Sequence, residues 1–269
     1  MATSAIQPAE GVYTTLRDLA LKAIRGLIAD GTLRPGVRVF EEELAERLGV
    51  SRGPVREALR RFEEQGVIVS YPNRGSFMVE LTTEEVEQLY ELRAALEKMA
   101  IRTVKERGRL EDLRQLSGRL IQMRRAAKAQ DLRRLLEADL AFHKVLWQAA
   151  ANRFLLKALE SLEAHIQVLM SVENRAHLDL GEIVKDHEEL LRVIRKSDPE
   201  LAAEAMARHV LDSGRRTVAA VDAAGSNGAP SIQTRRIAQT SRKAAAAERR
   251  SSQKSARAAA RGEQDQNAT

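Results

Sequence analysis

From Thr83 to about Val221 the chain never leaves a helical period. TTEEVEQLYELRAALEKMAIRTVKER, EDLRQLSGRLIQMRRAAKA, DLRRLLEADLAFHKVLWQAA, FLLKALESLEAHIQVLMSV, LGEIVKDHEELLRVIRK and DPELAAEAMARHVLDSGRRTVAAV each repeat apolar residues every three or four positions. Gly, Asn-Arg, Asp and Ser-Asp-Pro breakers separate them. Each segment carries one apolar stripe that must be covered, and six stripes cover one another in a bundle. The first opens with a Thr-x-x-Glu capping box. Hydrophobic residues make up 43% of the chain and aromatics only 3%, which suits helices over sheets. There is no cysteine, so disulfides, thiolate metal sites and cysteine nucleophiles are excluded.

Residues 12–80 are built differently. YTTLRDLALKAIRGLIAD has a helical period, and GTLRPGVRV is broken by Gly31, Pro35 and Gly36 into a turn or short strand. EEELAERL is a short helix, Gly49-Val50 a turn, and Ser51–Gln65 a second helix. Pro54 is tolerable only in a first turn, and Ser51 as N-cap puts it there. At about 100° per residue, Arg52, Arg56 and Arg60 share one arc, beside an apolar arc of Val55, Ala58, Leu59 and Phe62. VIVSYPNRGSFMV then reads as a β-hairpin with Arg74 at its tip. Helix, helix, turn, helix, hairpin is the order of a winged helix-turn-helix, whose second motif helix enters the major groove. The DNA-facing set on that helix is Ser51, Arg52, Gly53, Arg56 and Arg60. The alternative is a solvated arginine face paired with Glu57, Glu63 and Glu64.

The net charge of +6 has one source. Residues 225–269 hold nine Lys/Arg against three Asp/Glu, which leaves the rest of the chain balanced. Net charge therefore gives no argument for nucleic-acid binding by the folded part; only a local cluster can. The segment from 223 to 269, rich in Ala, Ser, Arg and Lys, reads as a disordered basic tail. Residues 1–11 read as a flexible lead without a signal-peptide pattern. No apolar run is long enough for a membrane span, so the expected setting is the cytoplasm, at the nucleoid.

Of five histidines, three carry a pattern. Asp139 and His143 lie one helical turn apart, on one face. His187 and His209 sit on two later helices among inward-facing apolar positions. An aspartate and three histidines without sulfur suit a borderline divalent ion: zinc first, then nickel, manganese or iron. The alternative is a set of ordinary half-buried polar residues. His165 and His177 fit no pattern.

The motif LAERLGVSRGPVREALRRFEEQGVI with YPNRGSFMV resembles the winged-helix domain of the GntR family of bacterial transcription regulators. Residues 83–222 resemble the all-helical effector domain of its FadR-like (FCD) branch. The resemblance implies base and phosphate contacts at Arg52 and Arg56, and wing contacts at Asn73, Arg74 and Gly75. Some members place an arginine on the short helix, where this chain has Glu41, Glu42 and Glu43; Arg38 is the candidate substitute. The resemblance also implies a metal held by Asp139, His143, His187 and His209. A small carboxylate effector would lie beside it, met by Arg93, which could otherwise form a surface salt bridge to Glu97. The expected protein is mainly α: a winged domain over 12–80, a six-helix effector and dimerisation domain over 81–222, then the tail. The expected function is a homodimeric repressor on a palindromic DNA operator, released by a small organic acid, and not an enzyme. The rivals are a metal-dependent hydrolase using the Asp/His set, for which no HExxH spacing exists, and a nonspecific DNA compactor acting through the tail.

Overall fold

The computed structural model describes residues 15–108, 113–176 and 179–226, apart from the side chains of 174–176 and 225–226. The expected flexible lead over 1–11, His177 and most of the expected tail lie outside the described residues.

The winged part runs α1 (Leu16–Ala29), β1 (Arg38–Val39), α2 (Glu41–Leu48), α3 (Arg52–Glu64), β2 (Ile68–Tyr71) and β3 (Gly75–Met78). Thr15 caps α1 in a reciprocal box with Asp18. Gly49 ends α2 in the left-handed region (φ 64°), where a side chain would be strained, and so makes the tight turn into α3. Ser51 does hold the N-cap of α3, with extended dihedrals, but its side chain makes no capping bond. GTLRPGVRV resolves as a strand: β1 joins the hairpin, giving an antiparallel sheet in the order β1-β3-β2, with Arg38 opposite Phe77. Ile24, Ile28, Val55, Phe62, Val67 and Met78 form the core of this part. Phe62 is fully buried, which is worth roughly 1.5–3 kcal/mol.

The helical part runs α4 (Thr83–Glu106), α5 (Arg114–Lys128), α6 (Leu132–Ala149), α7 (Arg153–Ala176), α8 (Leu180–Lys196) and α9 (Pro199–Ser226). The expected capping box is present: Thr82 Oγ1 accepts from Glu85 N–H at 3.2 Å, and Thr82 N–H donates back to the Glu85 carboxylate at 2.8 Å. Trp147, Phe142, Leu116 and Met123 lie at the centre of the bundle. α4 and α9 approach closely at Gly214, where a Cβ would stand 2.8 Å from the Cβ of Tyr90. Nearby, the Tyr90 hydroxyl bonds Thr217 Oγ1 at 3.0 Å.

α7 serves both parts. Leu159, Ile166 and Leu169 face the bundle core, whereas Ala164 and Val168 are buried in the core of the winged part. The Glu163 carboxylate accepts from Arg25 of α1 at 2.8 Å and from Lys144 of α6 at 2.7 Å. Among the described residues, no helix is long and apolar enough to cross a membrane.

Candidate functional site

Two groups of polar side chains stand out, one exposed and one buried. On the winged part, Arg52, Gly53, Arg56 and Arg60 all lie exposed along α3, with Ser51 exposed before it. Their partners come mainly from the preceding helix: Arg52 pairs with Glu42 and Arg56 with Glu41, while Arg60 lies 3.7 Å from Glu64. Glu57 and Glu63 are therefore not the partners the sequence suggested, and the α2 acids take their place. The wing turn closes with Arg74 N–H donating to Tyr71 O at 3.0 Å. Asn73 (φ 61°) and Gly75 (φ 92°) supply its left-handed residues. Arg38 does not lie on α2. It sits on β1 within the wing sheet, its guanidinium 4.7 Å from the Phe40 ring centre and close against Gly75. Arg38 thus extends the wing's basic tip beside Arg74. Among the described residues neither of these two forms an ion pair.

The buried group is assembled from four helices. α6 brings Asp139 and His143, α8 His187, α9 His209, and α4 Arg93 and Glu97. The ligand-capable nitrogens of His143, His187 and His209 lie within 4.8 Å of one another. Asp139 Oδ1 stands 3.0 Å from His187 Nε2 and 3.5 Å from His143 Nε2. The three histidines thus converge, and Asp139 lies against His187 and His143. The Phe142 ring packs edge-on against His187 and His143.

Both hydrogen bonds at the Nδ1 atoms have a fixed direction. His187 Nδ1 lies 2.8 Å from the Ile183 carbonyl, which can only accept, so Nδ1 donates. His143 Nδ1 lies 2.5 Å from Glu97 Oε2. Burial opposes charge on Glu97, but His143 and Arg93 outweigh it and hold the carboxyl at about 2, so it too accepts. Orienting acceptors at Nδ1 turn Nε2 inward; that of His187 meets Asp139 Oδ1 at 3.0 Å, and giving up this hydrogen would free it to act as a ligand. Burial, then the neighbouring His187 and His143, push the His209 imidazole well below its ordinary value, keeping it neutral. Burial opposes charge on Asp139 and on His187, but their mutual attraction wins: the carboxyl is lowered and the imidazole raised.

Arg93 does pair with Glu97, at 2.7 Å, but this is no surface bridge: the side chains are 3% and 1% exposed. Arg93 also lines a cavity of about 20 Å³ with the three histidines and with Glu173 and Arg216. Arg216 Nε donates to Glu173 at 2.7 Å, and Ser213 Oγ donates to the same carboxylate at 2.5 Å. Two guanidiniums thus face four carboxylates here: Glu97, Asp139, Glu173 and Asp186. The imidazoles and carboxylates of this group are nitrogen and oxygen donors of the kind that suit a divalent cation. Glu97, Glu173, Ser213 and Arg216 carry no sequence signal beyond the four-residue spacing of Arg93 and Glu97. His165 stands elsewhere, against Gly66 at the end of α3.

Comparison with known proteins follows the same division. Residues 16–78 match the family described as bacterial regulatory proteins, gntR family, and residues 88–212 match the FCD domain. The Nta operon transcriptional regulator of Aminobacter aminovorans is 31% identical over 163 residues, covering 58% of this chain and 77% of that protein. The probable D-xylose utilization operon transcriptional repressor of Paenarthrobacter nicotinovorans is 29% identical, covering 68% of this chain and 80% of that protein. Among solved structures, E. coli McbR/YncC superposes with a TM-score of 0.64 at 22% identity, over 74% of this chain and 94% of that one. A transcriptional regulator from Rhodococcus sp. RHA1 gives 0.63 at 23% identity, over 76% and 97%. A winged helix-turn-helix joined to this helical domain makes a DNA-binding transcription regulator. The chain belongs to the GntR family of bacterial regulatory proteins and carries an FCD domain. Its family and relatives are regulators of transcription rather than enzymes, which removes the hydrolase alternative.

Proposed function

We propose that this protein is a homodimeric repressor that reads a palindromic operator and releases it when a small organic acid binds beside a divalent ion in the helical domain. The observation that carries the sensing half is the convergence of His143, His187 and His209, with Asp139 against His187 and His143 and the Nδ1 atoms of those two already committed to acceptors. These four residues would hold the ion, zinc before nickel, manganese or iron. When bound, the ion supplies a Lewis-acidic anchor for a carboxylate. Arg93 lines the same cavity and offers that carboxylate a guanidinium. A cavity of about 20 Å³ is small for an ion and an acid together, so a bound effector would widen the space between these helices. That widening links occupancy to a change of helix packing. α7 contributes Met170 and Glu173 to the cavity and buries Ala164 and Val168 in the winged core. A ligand that favours one packing of α7 would thereby shift the population of DNA-competent geometry.

A thermal-shift screen of small organic acids on metal-loaded protein tests this reading. At least one acid should raise the melting temperature, and the same acid should release bound duplex. An acid that stabilises the protein while leaving duplex affinity unchanged would separate binding from regulation and contradict the proposal.

A further inference from the structure

The arginines of α3 are held differently by the acids of α2. Arg56 Nε lies 3.1 and 3.2 Å from the two carboxylate oxygens of Glu41, and its Nη2 donates to Oε2 at 3.0 Å. Arg52 meets Glu42 through Nη2 alone, and Arg60 reaches Glu64 only at 3.7 Å. Among the described residues, Arg56 is thus the one α3 arginine gripped at two nitrogens by one carboxylate.

That grip has a chemical consequence. A guanidinium carries five N–H donors in a planar fork. Glu41 occupies the side edge, meaning Nε–H and one hydrogen of Nη2. Among the described residues the end edge, one hydrogen each from Nη1 and Nη2, takes no partner and points two parallel donors away from the pair. Two parallel donors match O6 and N7 of guanine in the major groove. As an exposed ion pair, Arg56–Glu41 adds little stability. It fixes a flexible side chain before DNA arrives, which removes an ordering cost from binding. Glu41 is also the first residue of α2, where the positive helix end favours its charge.

We propose that Glu41 is a specificity-determining positioning residue that holds Arg56 side-on, so that its end edge reads one guanine in each half-site. Glu42, bonded to a single nitrogen of Arg52, does not set base preference. Both acids face the DNA side and also weaken binding to arbitrary sequence through their charge. This inference rests on the DNA-reading role of α3.

Selection of full-length protein on a randomised duplex library, followed by sequencing, tests it in wild type, Arg56→Ala, Glu41→Ala and Glu42→Ala. The wild type should enrich a motif containing one guanine per half-site that Arg56→Ala erases. Glu41→Ala should weaken preference for that same guanine by on the order of tenfold. The other motif positions and the melting temperature should be unchanged. Glu42→Ala removes the same charge and should keep the guanine preference. Both glutamate variants should bind unselected duplex more tightly than wild type. In the double variant Glu41→Ala with Arg56→Ala, preference at that position should be no lower than in Arg56→Ala alone. Retention of the full guanine preference in Glu41→Ala, or a loss spread evenly across the motif, overturns the proposal. A wild type that enriches no motif overturns the DNA-reading role itself, and this inference with it.

Discussion

The winged and helical parts of this chain both depend on arginine–carboxylate pairs, in opposite surroundings. On α3 the pairs are exposed: the Arg56 and Glu41 side chains are 66% and 37% accessible. In the bundle, Arg93 and Glu97 are sealed from water and tied onward to His143. Exposed pairs keep donors within reach of solvent, so the α3 arginines would meet phosphates or bases without stranding a charge, Arg56 while still held by Glu41. A buried pair cannot be opened cheaply, because each partner would be left charged in a poor solvent. The same chemistry therefore serves reading in one part and pre-organisation in the other.

The largest effect that would sharpen this contrast lies in the bundle. Glu97→Ala strands Arg93 and unties His143, and should cost about 3–5 kcal/mol of stability. Chemical denaturation checks this; a loss below about 1 kcal/mol would place the pair in the same class as the surface ones. Arg52→Ala and Arg56→Ala should leave stability within about 0.5 kcal/mol. Each should nevertheless weaken specific duplex binding by about 1–3 kcal/mol, read by gel shift. Binding within twofold of wild type in both variants would break the recognition-helix assignment. Smallest in discriminating power is the basic segment. Removing residues 227–269 should weaken binding by one common factor for every sequence and flatten its salt dependence. Loss of operator preference on truncation would make that segment a reader.

What the sequence reveals divides along the same line. The recognition helix is legible because its logic is local: Pro54 in a first turn, arginines one turn apart and a turn-rich wing all lie within twenty-five residues. The six helices of the bundle are legible from their stripes, and Asp139 with His143 from their spacing. Position in space is harder to read. Glu97 reads as a surface partner of Arg93, because nothing in YELRAALEK shows that this face is covered by α6, which brings His143 from 46 residues away. Arg38 reads as a substitute for a contact on α2, yet a two-residue strand pairing with β3 carries it to the wing. Glu41 and Glu42 read as a departure from the family pattern, although their place against α3 makes them partners of its arginines. Each of these residues takes its role from a contact between separate elements, which periodicity does not encode.

The proposed metal in the helical part is checked by elemental analysis of protein purified without a histidine tag. Wild type and Arg56→Ala should each carry one divalent ion per chain. His187→Ala should fall well below one equivalent and melt at a lower temperature, since an ion bound only to the folded state stabilises it. Full occupancy in both His143→Ala and His187→Ala, or a wild type that takes up no ion when supplied with zinc, nickel, manganese or iron, would show that these are core histidines and not ligands.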